Sequence, residues 1–254
     1  MTDAETAADR SVWDLSGKDA LGFLQGIVSN DLRPIETSPG IVWCALLSPQ
    51  GKYLADFFVV RLQDGKLLID IANLLAADTL RRLTMYRLRA DVQIVPTNLK
   101  VLRGLGPVPV GAMPDPRHPA LGYRLWSETP GAPPSIDWDA IRVDHLIPES
   151  GIELRPDDSY ILEAGFERLH GVDFRKGCYV GQEVTARMKH KTELRRGLVR
   201  LALDQPVPVG TEVLAEGKVV GRIFTQAQGR ALALMRLDQM SGTMSAGPAT
   251  VTLA

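Results

Sequence analysis

The sequence is 254 residues long, 45% apolar and 23% charged, with a formal net charge of −1. Those proportions belong to a globular chain long enough for one large core or two ordinary ones, and they exclude a disordered or fibrous chain. Its two cysteines, Cys44 and Cys178, are too few for a disulfide framework or a resident four-thiolate metal cluster.

Met1 to Arg10 is polar and lacks the apolar core of a secretory signal, and no apolar run reaches the ~18 residues of a membrane span. The expected compartment is the cytoplasm, or an organelle matrix such as the mitochondrial one. Ser16-Gly17-Lys18-Asp19 reads as a helix cap, followed by Ala20, Phe23, Leu24, Ile27 and Val28 at helical spacing, which predicts a helix over Lys18 to Ser29. Ile41 to Leu47 and Leu54 to Arg61 are strand-like runs joined by the turn-rich Ser48 to Lys52, a predicted hairpin. A strand over Lys66 to Ile71, a helix capped by Asn73 and carrying Leu74, Leu75, Leu80, Leu83 and Leu88, and a strand over Val92 to Val95 complete an α+β layer.

Between Pro107 and Pro134 lie eight of the seventeen prolines, which remove backbone donors and predict a long loop with little regular structure. A helix is expected over Asp137 to Leu146. Beyond Gly197, short apolar runs at Leu198 to Leu203, Glu212 to Leu214, Lys218 to Thr225 and Ala231 to Leu237 alternate with turn residues, the texture of a small antiparallel barrel. The expected division is an α+β domain over 1–195 and a barrel domain over 196–254.

Chemistry concentrates in Lys176-Gly177-Cys178-Tyr179-Val180-Gly181-Gln182-Glu183. A thiol acts as nucleophile or metal ligand only as thiolate, a form that the nearby cations Lys176 and Arg175 favour. Cys44, among Ile41, Val42, Trp43 and Leu46, reads instead as a small buried hydrophobe. Gly177 and Gly181 allow close backbone approach or positive φ, and Tyr179 can cover an apolar ring. Gln182 and Glu183 can orient a substrate group or pair with Lys176 and Arg187. The segment Arg175 to Arg200 also carries a basic excess, which suggests an anionic partner such as a phosphate, a polyglutamate tail or RNA. His118, His145, His170 and His190 are too scattered for a zinc site and are expected to be structural.

The octapeptide, with Gly171-Val172-Asp173-Phe174 before it and Val184-Thr185-Ala186-Arg187 after it, resembles the signature of the YgfZ family. That family comprises folate-binding proteins related to the glycine cleavage T-protein (aminomethyltransferase) and implicated in iron-sulfur cluster assembly or repair. Asp19-Ala20, Phe23-Leu24-Gln25-Gly26, Ser29-Asn30-Asp31 and Gln50-Gly51-Lys52 to Asp56-Phe57-Phe58 are similar to its N-terminal motifs. The resemblance implies a T-protein-like folate-binding domain of ferredoxin-like α/β modules, then a C-terminal β-barrel. It implies Cys178 and Lys176 as the reactive pair, and tetrahydrofolate or a derivative as cofactor. Asp56, Glu163, Tyr179, Gln182, Glu183 and Arg187 are its expected contacts. Glu163, in a Glu-Ala-Gly segment similar to one at the T-protein folate pocket, would accept the two donors on one pterin edge. Asp56 would bind the pterin or take a proton.

Three functions follow. The first is a folate-dependent accessory factor for iron-sulfur proteins, tRNA-modifying enzymes among them, with Cys178 as transient ligand or nucleophile and with iron-sulfur client or assembly proteins as partners. The second is a one-carbon transferase of the aminomethyltransferase type, which Ala55 disfavours because the T-protein hairpin has an Asp-Asp pair where Ala55-Asp56 stands here. The third is a tRNA-binding module.

Overall fold

The apolar runs flanking Ser48 to Lys52 do pair, and they found the largest sheet of the protein. The structure is a computed structural model that describes residues 4–191, 193–240 and 242–254. After a short β1 (Glu5–Thr6), β2 (Arg10–Ser16) leads into α1 (Ala20–Gln25); β3 (Gly40–Leu47), β4 (Tyr53–Arg61) and β5 (Leu67–Ala72) form a meander, and α2 (Asn73–Tyr86) returns the chain to β6 (Gln93–Pro96). These strands make an antiparallel sheet in the order β3-β4-β5-β2-β6. In β4 every residue from Tyr53 to Val60 is buried, so both faces of the sheet are covered and the strand reads as a continuous apolar run.

The helices depart from expectation in instructive ways. α1 covers only Ala20–Gln25, because Ser29 and Asn30 turn toward β3: the Ser29 amide donates to the Ala45 carbonyl at 2.9 Å. Asp19 does not cap α1 with its side chain; its carboxylate accepts from the Asp91 amide at 2.9 Å and ties the helix entry to the α2–β6 loop. Of the leucines assigned to α2, Leu75 and Leu83 are buried, whereas Leu74 and Leu88 are exposed.

A second, four-stranded sheet, β1-β7-β9-β8, contains β7 (Lys100–Gly104), β8 (Met113–Pro114) and β9 (Tyr123–Ser127). The proline-rich segment is therefore more regular than expected: Tyr123 to Ser127 is free of proline and pairs antiparallel with β7. α3 (Trp138–His145) follows as predicted, with the Asp137 carboxylate accepting from the Ala140 amide at 2.9 Å and Leu146 closing the helix in the left-handed region. After α4 (Gln182–Lys191), six strands close a barrel in the order β10-β13-β12-β11-β14-β15. They are β10 (Arg196–Leu203), β11 (Glu212–Ala215), β12 (Lys218–Ala227), β13 (Arg230–Arg236), β14 (Met244–Ala246) and β15 (Ala249–Leu253). Its core, including Leu201, Val213, Ile223, Met235 and Val251, is separate from the larger core around Trp43, Phe57 and Phe166.

Glu153 joins the two cores. Its carboxylate accepts from Arg142 Nη1 at 3.2 Å on α3 and from the Thr225 amide and hydroxyl at 3.0 and 2.6 Å on β12. Among the described residues no helix is long and apolar enough to cross a membrane.

Candidate functional site

Cys178 sits exposed on a loop whose two ends are fixed. On the upstream side, Lys176 is buried and its ammonium donates to the carbonyls of Gln25, Val28 and Asn30 at 2.7, 2.5 and 3.0 Å. An ammonium has three protons, so these carbonyls at the end of α1 exhaust it. Burial pulls the Lys176 amine down to about 8. The expected pairing of Lys176 with the Cys178 thiol is thus replaced by an anchoring role, since its donors are spent on backbone.

The same bracket is reinforced by Ser29, whose hydroxyl donates to the Gly171 carbonyl at 2.6 Å, and by Asn30, whose amide donates to the Trp43 and His170 carbonyls at 2.8 and 2.7 Å. Gly171 lies against the Trp43–Phe166 stack, where an added Cβ would approach Phe166 to 2.5 Å and Trp43 to 2.7 Å. On the downstream side, Gly181 has φ of 81° and faces the β3–β4 turn. A Cβ there would lie 2.6 Å from the Ser48 carbonyl oxygen, and one on Gly51 would lie 2.7 Å from Val184. The N-terminal motifs and the octapeptide, more than 110 residues apart in the chain, are one interlocked structure.

The other expected contacts do not converge on the thiol. Tyr179 is buried in the main core, and burial raises its hydroxyl; Gln182 Oε1 accepts from the Tyr179 amide at 3.4 Å. Glu183 and Arg187 form an exposed pair at 3.0 Å on the first turns of α4. Asp56 is 3% exposed, and its oxygens accept from Trp43 Nε1, the Tyr53 hydroxyl and the Ser150 hydroxyl at 2.8, 2.6 and 2.6 Å. Those donors are internal, so Asp56 has little acceptor capacity left for a pterin.

Glu163 is different. Its carboxylate forms no hydrogen bond among the described residues, and burial pushes its carboxyl up against the pull of Arg196 and Lys52. It stands where the first domain meets the barrel, its carbonyl accepting from the Leu198 amide at 2.9 Å. Lys52 lies over the Tyr160 ring at 3.7 Å beside it. These two neighbours were not expected: Lys52 reads as a turn residue, and nothing in the sequence brings Tyr160 to it. A half-buried carboxylate with lone pairs unclaimed among the described residues has the chemistry to accept from two parallel N–H donors.

A cleft of about 650 Å³ is lined by Asn30, Trp43, Pro116, His170, Phe174 and Arg175 among others, and Cys178 is not one of its lining residues. Three cations of the basic segment pair locally, Arg187 with Glu183, Lys189 with Glu167 and Arg200 with Asp144, while Arg175, Arg195 and Arg196 form no ion pair among the described residues. The side chain of Lys191 lies outside the described residues. His118 and His145, far apart in sequence, stack at 4.2 Å. Among the described residues no group of three or more His, Cys, Asp and Glu is arranged to hold a metal ion.

Residues 195–254 match the family model of the CAF17 C-terminal β-barrel domain. The chain is similar to the mitochondrial iron-sulfur cluster assembly factor IBA57 homolog of Mycosarcoma maydis, with 28% identity over 91% of this chain and 73% of that protein. It is likewise similar to the mitochondrial iron-sulfur cluster assembly factor IBA57 of Homo sapiens, with 28% identity over 92% of this chain and 78% of that protein. Among solved structures, the glycine cleavage system aminomethyltransferase T from Bartonella henselae superposes with a TM-score of 0.75 and 13% identity, over 98% of this chain and 84% of that one. The fold is that of the aminomethyltransferases, mixed α/β with a closed six-stranded antiparallel barrel at the C-terminus.

Proposed function

We propose that this chain is an iron-sulfur cluster assembly factor of the YgfZ type, in which the Cys178 thiolate serves as a transient ligand to iron of a partner's cluster. The observation that carries this reading is the placement of one exposed thiol on a loop pinned at both ends, by Lys176 and by Gly181. A fixed, solvent-reachable sulfur can meet a partner's cluster with little loss of loop entropy, the main cost of presenting a ligand from a mobile segment. Similarity to assembly factors over nine-tenths of the chain supports it. The relatives are named as mitochondrial, which favours a mitochondrial setting if the source is eukaryotic.

Tetrahydrofolate is the cofactor in this reading. Glu163 would accept from the pterin edge, with Lys52 and Arg196 available to an anionic tail; the folate would supply a reduced one-carbon carrier. One-carbon transfer of the aminomethyltransferase kind has less support, because Asp56 already accepts from three internal donors and Ala55 offers no second carboxylate.

The test replaces Cys178 by Ala in cells that depend on this chain. Activity of cluster-dependent enzymes, tRNA-modifying methylthiotransferases among them, should fall to the level of the deletion while thermal stability of the purified variant is unchanged. Retained enzyme activity would remove the thiol from the mechanism. Calorimetric titration of tetrahydrofolate against wild type and Glu163→Ala tests the cofactor assignment independently, with at least tenfold weaker binding expected for the variant.

A further inference from the structure

Two clefts run along the solvent side of α1 and share Leu21, Gly22 and Glu36. The larger, of about 700 Å³, is bounded on its far side by Tyr86 to Ala90 at the carboxyl end of α2 and by Arg61 and Leu67 beside the β4–β5 turn. The smaller, of about 70 Å³, extends to Gln25, whose carbonyl is one of the three that hold Lys176. Together they make one groove that reaches from α2 to the foot of the thiol loop.

Two residues of this groove run against the preferences of the helices that carry them. Gly22 lies inside α1, where glycine is destabilising relative to alanine. A Cβ there would meet nothing within 4 Å, so no internal neighbour requires its absence. Leu88 follows Arg87, the last residue of the α2 cap, with φ of 45°, the left-handed position at which helices commonly place glycine. It is 88% exposed. One choice strips a side chain from the groove floor, and the other adds a large apolar one to its wall. Departures from local rule of this kind are expected where a chain serves a partner.

The groove also carries a cationic excess. Lys18, Arg61, Arg87 and Arg89 line the larger cleft against Asp19 and Glu36, and none of these four cations forms an ion pair among the described residues. Arg61 Nε and Nη1 donate to the Ile35 and Gly65 carbonyls at 2.6 and 2.8 Å, and Arg87 Nη1 donates to the Val92 carbonyl at 2.9 Å. Those carbonyls fix both guanidinium groups without neutralising them. The Asp19 carboxylate is itself occupied by the Asp91 amide, and the carboxyl end of α2 supplies only roughly half an elementary negative charge.

We propose that this groove docks an acidic amphipathic helix of a partner protein. Its apolar side chains, one turn apart, would seat among Leu21, Tyr86 and Leu88, and its carboxylates would face the four cations. A helix crossing at Gly22 can approach α1 closely, because the side chains at the crossing set the interaxial distance. The docking uses the groove alone and does not need the Cys178 thiol.

Fluorescence anisotropy of the full chain at low ionic strength, with a labelled helical peptide of about 15 residues that carries leucines one turn apart and glutamates between them, tests it. Saturable one-to-one binding is expected. The same peptide with lysine for glutamate, and another with serine for leucine, should each bind at least tenfold more weakly. Gly22→Trp fills the crossing point and should weaken binding at least tenfold, as should Lys18→Glu combined with Arg89→Glu, both at exposed positions. Cys178→Ala should bind as wild type does, which separates the docking from the role of the thiol. No saturable binding of the acidic peptide, equal binding of the lysine or serine peptide, or undiminished binding by Gly22→Trp would each overturn the proposal. A dimer in sedimentation that Gly22→Trp dissolves would assign the groove to a second copy of the chain and overturn it as well.

Discussion

Replacing Gly181 by Ala should separate the roles of the two glycines in the octapeptide. At Gly181 the backbone has φ of 81°, and a Cβ would come to 2.6 Å from the Ser48 carbonyl oxygen and 2.9 Å from Leu47 Cβ. Left-handed backbone costs a residue with a Cβ about 1–2 kcal/mol. Relieving the overlap requires the β3–β4 turn to shift by roughly half an ångström, a kind of overpacking that costs about 1–3 kcal/mol. The sum, about 2–5 kcal/mol, corresponds in a chain of this size to a Tm lowered by about 5–15 °C. Gly177 is the control: its φ is ordinary and a Cβ would meet nothing within 4 Å, so Gly177→Ala should stay within about 0.5 kcal/mol of wild type. Urea denaturation of the three proteins, compared at constant slope, is the assay. Equal stability for the two variants, or a Gly181→Ala loss below about 1 kcal/mol, would refute the claim that the hairpin turn pins the thiol loop.

Two further outcomes follow from buried charges. Because the folded Lys176 amine is lowered to about 8 from 10.5, the unfolded chain holds the extra proton between those values; stability therefore rises with pH across that window. Lys176→Met should abolish this rise, and urea denaturation at pH 7.5 and 9.5 should show wild type gaining about 1–2 kcal/mol relative to the variant. Glu153→Ala removes the acceptor shared by Arg142 and Thr225, leaving a buried cation short of a partner at a cost of about 3–5 kcal/mol. Calorimetry should then resolve the barrel and the first domain as two transitions where wild type gives one.

The elements legible in the sequence were those specified by local chemistry. The β3–β4 hairpin was marked by apolar runs on either side of Pro49-Gln50-Gly51, α3 by the Asp137 cap, and the barrel by evenly spaced turns. α4 was missed, because Gln182 to Lys191 carries too few apolar residues to show a stripe and its register is fixed instead by Gly181 packing on the β3–β4 turn. β9 was hidden among prolines, although its five residues contain none.

The exposure of Cys178 was legible for the same local reason: charged and glycine neighbours signal an accessible side chain, and Cys178 is exposed while Cys44 is buried. The use of Lys176 was not, since its partners are carbonyls some 150 positions earlier in the chain, and backbone acceptors leave no trace in residue identity. Glu163, Lys52 and Tyr160 likewise meet only because the segment around Asp158 and Ser159 packs on the β3–β4 turn. Residue types and short-range spacing fixed which segments become strands and which sulfur faces water. Which carboxylates meet internal donors and what holds the thiol in place were decided by long-range contacts, because burial and pairing are properties of the assembled interior.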